Sequence, residues 1–70
     1  MTGEELKAQR EELGLSLSQL ARACGYASVD NGVTLLRRYE RDEREVPPWL
    51  PRMLELFRRF GVPPDFIAPE

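Results

Sequence analysis

Three arginines at helical spacing are the residues of this chain best equipped to do chemistry. In Val33-Thr-Leu-Leu-Arg-Arg-Tyr-Glu-Arg41, the residues Val33, Leu36 and Glu40 fall at i, i+3 and i+7 and share one helix face. Thr34, Arg37, Arg38 and Arg41 fall on the other side, which is therefore basic. A guanidinium is a planar fork that binds guanine O6 and N7 through two hydrogen bonds, worth roughly 1–3 kcal/mol of discrimination per good pair. A short helix over 33–41 with an apolar inner face and an arginine-bearing outer face suits the major groove of double-stranded DNA. Arg37 and Arg38 are the first candidates for base contacts, the plain alternative being a solvated helix face. Asn31 and Thr34, nearer the helix start, are further candidates for reading adenine or binding phosphate. Arg41 and Arg44 are better placed to position the protein on phosphates than to read sequence. Ser18 and Arg22, on the exposed side of the preceding helix, are candidates for the flanking backbone.

The rest of the chain offers little reaction chemistry. It has no histidine and one cysteine, Cys24, which excludes a His/Cys metal cluster and an internal disulfide. No Gly-rich phosphate loop and no nucleophile beside a base can be read. The expectation is a non-enzyme that uses no metal and no cofactor. Cys24 reads as a small core residue, and Glu4-Glu5 and Glu11-Glu12 as solvated helix faces. Seventy residues make one domain, near the lower limit for a self-sufficient core. No apolar run approaches the ~18 residues of a membrane span, and no signal-peptide pattern opens the chain, so no membrane and a cytoplasmic location are expected.

A net charge of −2 is awkward for a nucleic-acid binder, whose affinity draws heavily on phosphate neutralisation. Its distribution offers a resolution. Residues 1–30 set Lys7, Arg10 and Arg22 against Glu4, Glu5, Glu11, Glu12 and Asp30, whereas Arg37, Arg38, Arg41, Arg44, Arg52, Arg58 and Arg59 gather later. An acidic back and a basic working face are expected.

The elements that must position the arginines are all helical. Thr2 with Glu5 forms a capping box for a helix over about 3–13, stopped near Gly14. Its stripe Leu6, Arg10, Leu13 buries a charge, which is costly unless paired. Glu40, on the apolar face of helix 33–41, is the expected partner. Ser16 with Gln19 opens a second helix over about 17–24, whose buried face is Leu17, Leu20, Ala21 and Cys24 and which ends at Gly25. The segment 25–32 is longer than the ~3–4 residues of a tight helix–helix turn. Either this loop bulges or the next helix gains an N-terminal piece, with Asp30, Asn31 or Gly32 as its cap. Pro47 and Pro48 start a fourth helix over about 48–60. Its apolar face comes from Trp49, Met53, Leu56 (or Leu54), Phe57 and Phe60, and a short turn over 64–68 packs Phe66 and Ile67.

Together these stretches resemble the Cro and lambda-repressor-like helix-turn-helix family, also called the xenobiotic-response-element family. The resemblance rests on Lys7-Ala-Gln-Arg-Glu-Glu-Leu-Gly-Leu-Ser16, Gln19-Leu-Ala21 with Gly25, Arg38-Tyr-Glu-Arg41 and Arg44-Glu-Val-Pro-Pro48. It implies a compact all-α bundle of four to five helices, with the third helix in the major groove. It also implies the Arg10–Glu40 pair already reached from periodicity. Three positions depart from the family pattern. About five extra residues lie between Gly25 and Tyr39, Leu17 stands where a phosphate-touching Gln is usual, and Asp42 stands where a glycine is usual, adding negative charge beside the DNA face.

Family members generally dimerise on two-fold operators whose half-sites lie about one helical turn apart. The expected dimer surface is Trp49, Met53, Phe60, Phe66 and Ile67. The resulting expectation is a homodimeric, sequence-specific transcriptional regulator, a repressor of a bacterial or phage operon, of the antitoxin or anti-CRISPR-associated kind. The competing expectation is a protein-interaction module, such as a phage inhibitor that binds a host protein through its acidic first helix.

Overall fold

Each of the four longer helices sends leucine into one core. The computed structural model describes residues 1–68 and contains α1 (Gly3–Glu12), α2 (Leu17–Ala23), α3 (Val29–Glu40), α4 (Trp49–Phe60) and α5 (Pro64–Ile67). Leu6, Leu20, Leu36, Leu50 and Leu54 are fully buried, and Leu15, Ala21 and Tyr39 join them in the same cluster. Among the described residues there is no strand, and no helix is long and apolar enough to cross a membrane. The Cα radius of gyration is 11.1 Å.

The helix ends follow from local side-chain chemistry. Thr2 and Ser16 accept hydrogen bonds from the Glu5 and Gln19 amides, and both capping boxes close reciprocally. α1 and α2 end in paired backbone bonds in which Leu15 N–H reaches Arg10 O and Tyr26 N–H reaches Ala21 O. α3 ends the same way, with Glu43 N–H reaching Arg38 O, but Asp42 rather than glycine takes the left-handed position at φ 57°.

The main correction concerns α3, which starts at Val29 instead of 33, about one turn early. Asp30, Asn31 and Gly32 do not cap it. Ser28 does, its hydroxyl accepting from the Asn31 amide at 3.3 Å. The surplus residues between Gly25 and Tyr39 thus lengthen the helix, leaving residues 24–28 as the turn. Gly32 is a close-approach residue and not a break. A Cβ there would sit 2.8 Å from the Tyr26 ring and 2.9 Å from Ala21 Cβ, so only glycine lets α2 close onto α3. On α4 it is Leu54 that enters the core, while Leu56 is 53% exposed.

Candidate nucleic-acid interface

α3 is held from behind by two contacts to α1. Arg10 donates through Nε to Glu40 Oε2 at 2.7 Å and through Nη2 to Oε1 at 3.3 Å. Its Nη1 donates to the carbonyl of Leu15 at 2.9 Å. The two side chains keep only 12% and 9% of their surface exposed, so each charge depends on the other for solvation. At the helix end, Asp42 Oδ1 accepts the Gly3 amide at 2.8 Å. This acid, expected to burden the DNA face, instead serves the first turn of α1. The approach is close, since a Cβ on Gly3 would collide with the Glu40 carbonyl oxygen.

With Val29, Gly32, Val33, Leu36, Tyr39 and Glu40 turned inward, the opposite side of α3 faces solvent. It presents Asp30, Asn31, Thr34, Arg37, Arg38 and Arg41, all exposed. At 100° per residue, Asp30, Thr34, Arg37 and Arg41 form the central line, with Asn31 and Arg38 along one flank. Arg37 and Arg38 form no ion pair or side-chain hydrogen bond among the described residues, so their guanidinium forks are available. Thr34 differs, because its hydroxyl proton is spent on the Asp30 carbonyl at 3.0 Å. Its methyl and lone pairs remain. Arg41 leans towards Glu43 at 3.9 Å, and Arg44 is exposed. On α2, Ser18 and Arg22 lie one turn apart and both are exposed.

The helices match a family model described as helix-turn-helix over residues 6–67, almost the whole chain. The chain belongs to the lambda-repressor-like helix-turn-helix family. No curated protein and no solved structure gives a match. Members of this family are DNA-binding regulators whose helix-turn-helix unit places its second helix in the major groove. In this helix-turn-helix domain, the exposed side of α3 is the face opposite the packing against α2 and α1.

Two other sites take their place in the same frame. The apolar residues expected to dimerise divide between elements. Trp49 and Phe60, 42% and 80% exposed, lie with half-buried Met53 and exposed Leu56 at i, i+11, i+4 and i+7 on one side of α4. Leu56 was readable as part of this line only by fixing which leucine faces the core. Ile67 packs against the core and Phe66 borders a recess with Arg22 and Tyr26, because α5 packs on α2. Cys24 is half-buried, and burial pushes its thiol up to about 11, which leaves little thiolate at neutral pH. No group of acids and cysteine able to hold a metal ion occurs among the described residues.

Proposed function

We propose that the chain is a sequence-specific transcriptional regulator that reads base edges with the outward face of α3. The observation that carries this is the unpartnered pair Arg37 and Arg38 on that face, beside Asn31 and Arg41. Arg37 and Arg38 supply bidentate guanine contacts, and Asn31 suits adenine N6 and N7. Thr34, its proton engaged, contributes a methyl to thymine. Ser18, Arg22, Arg41 and Arg44 hold phosphates and set register. Arg10 and Glu40 act behind the interface by fixing α3 against α1.

One module of this size covers little DNA, so a homodimer is part of the reading. The Trp49, Met53, Leu56 and Phe60 line on α4 is its surface, since three of these remain exposed in the monomer. Phe66 and Ile67, carried by α5 against α2 and the core, lie apart from this line and are not part of the proposed dimer surface. The setting is a cytoplasmic repressor of a bacterial or phage operon, of the antitoxin or anti-CRISPR-associated type, controlled by its own concentration or by a partner protein. A protein-binding inhibitor is the second reading, favoured by the exposed acids Glu4, Glu5, Glu11 and Glu12 on α1.

Selection from random double-stranded DNA tests the proposal. The expected product is one enriched motif with two-fold symmetry and half-sites about 10 base pairs apart. Recovery of unenriched sequence at every round would remove the regulator reading in favour of a protein partner.

A further inference from the structure

The outward line of α3 opens with an acid where a phosphate-facing surface would be expected to carry none. Asp30 shares the central line with Thr34, Arg37 and Arg41, and its carboxylate has no ion pair or hydrogen bond among the described residues. It is not needed as the cap, because Ser28 already satisfies the Asn31 amide. Its place in the first turn favours the helix dipole, but any outward or lateral position in that turn would do the same. On a surface that approaches phosphates, an unpaired carboxylate opposes binding to every sequence alike unless a donor meets it. Exposed major-groove donors are the amino groups of cytosine N4 and adenine N6. Adenine sets its N7 lone pair beside N6, which repels a carboxylate, whereas cytosine sets only a C–H beside N4. Guanine and thymine present acceptors at the same height. The first-turn residues of a recognition helix are the ones that reach base edges.

We infer that Asp30 is a specificity-determining residue that accepts a hydrogen bond from cytosine N4 and repels the other three bases at that position. This rests on the DNA-reading function proposed above. The acid sacrifices general affinity and gains rejection of wrong sites.

The test takes the motif recovered by selection and places all four base pairs at each half-site position in turn. Binding is measured for wild type, Asp30→Ala and Asp30→Asn, each checked by circular dichroism for an unchanged helical spectrum. Wild type is expected to prefer cytosine at one position by roughly 5- to 150-fold, the usual cost of one mismatch. Asp30→Ala is expected to lose that preference alone and to bind random DNA more tightly. Asp30→Asn is expected to move the preference to adenine, whose N6 and N7 match an amide. If Asp30→Ala tightens every sequence equally and leaves the base profile intact, this inference is overturned while DNA reading stands. If wild type shows no preference at any position, both are overturned.

Discussion

Removing the carboxylate of Glu40 isolates the contact that holds α3 to α1. In the wild type Arg10 makes three hydrogen bonds, two to Glu40 and one to the Leu15 carbonyl. Glu40→Ala leaves Arg10 with only the last of these in a site where 12% of its side chain is exposed. Breaking one partner of a buried pair costs about 3–5 kcal/mol, and the surviving Leu15 bond places this case near the lower figure. Glu40→Gln keeps an acceptor and loses the charge, a loss of about 1–2 kcal/mol. Arg10→Met with Glu40→Leu removes both charges and refills the space, so it is expected to recover most of the wild-type stability. A chain of this length has a total stability of roughly 4–10 kcal/mol, so Glu40→Ala alone consumes a large share of it. Urea titration followed by circular dichroism at the helical band measures each variant. The double-mutant cycle is expected to give a coupling above about 2 kcal/mol. A Glu40→Ala loss below about 0.5 kcal/mol, or additive single effects, would refute the view that these charges depend on each other.

Other expectations follow from the same geometry. Gly32→Ala gains about 1 kcal/mol of helix preference but forces a methyl to within 2.8 Å of Tyr26 and 2.9 Å of Ala21, so a net loss of about 1–2 kcal/mol is expected in urea titration. A stabilised variant would contradict the close α2–α3 approach. Asp42→Ala loses both the bond to Gly3 N–H and a residue tolerant of φ 57°, about 2 kcal/mol together, whereas Asp42→Gly loses the bond alone and Asp42→Asn keeps both. Equal melting curves for all three would dismiss the Asp42 contact. Hydrogen bonds from Arg58 and then Arg59 hold the Glu55 carboxyl at about 2, below the ordinary 4.5. A depressed carboxyl adds stability that is complete above about pH 4.5 and is lost as pH falls towards 2. An NMR titration of Glu55 is expected to show that low midpoint, and one above about 4 would dissolve the ion pairs on α4.

Much of the architecture could be read from single residues. Thr2-Glu5 and Ser16-Gln19 announced two helix starts, Gly14 and Gly25 their ends, and the lone charges Arg10 and Glu40 in apolar stripes pointed at each other. The start of α3 could not be read in the same way. Ser28 lacks a Glu or Gln three residues on, and Asn31-Gly32 has the composition of a turn, so local signals argued against a helix there. Packing of Ala21 and Tyr26 onto the bare glycine overrode them, and that contact is invisible until α2 and α3 are placed. Asp42 is a second case. Its partner, the Gly3 amide, lies 39 residues away, so the sequence shows only an acid in a glycine position. On α4, two apolar lines sit side by side, and periodicity alone does not choose between Leu54 and Leu56. On the candidate interface, spacing put Arg37, Arg38 and Arg41 on one side and left open whether the helix gains an N-terminal piece or the loop bulges. The fold selects the longer helix, which sets Asp30 and Asn31 on that same side.

Fluorescence anisotropy on the selected motif and on random DNA, at several salt concentrations, tests the reading function of α3 most directly. Wild type is expected to prefer the motif, with a log–log salt slope equivalent to several released counterions. Arg37→Ala and Arg38→Ala are each expected to lose roughly 5- to 150-fold of that preference while random-DNA binding changes much less. Wild type that binds motif and random DNA equally weakly, or variants that keep the full preference, would contradict the account.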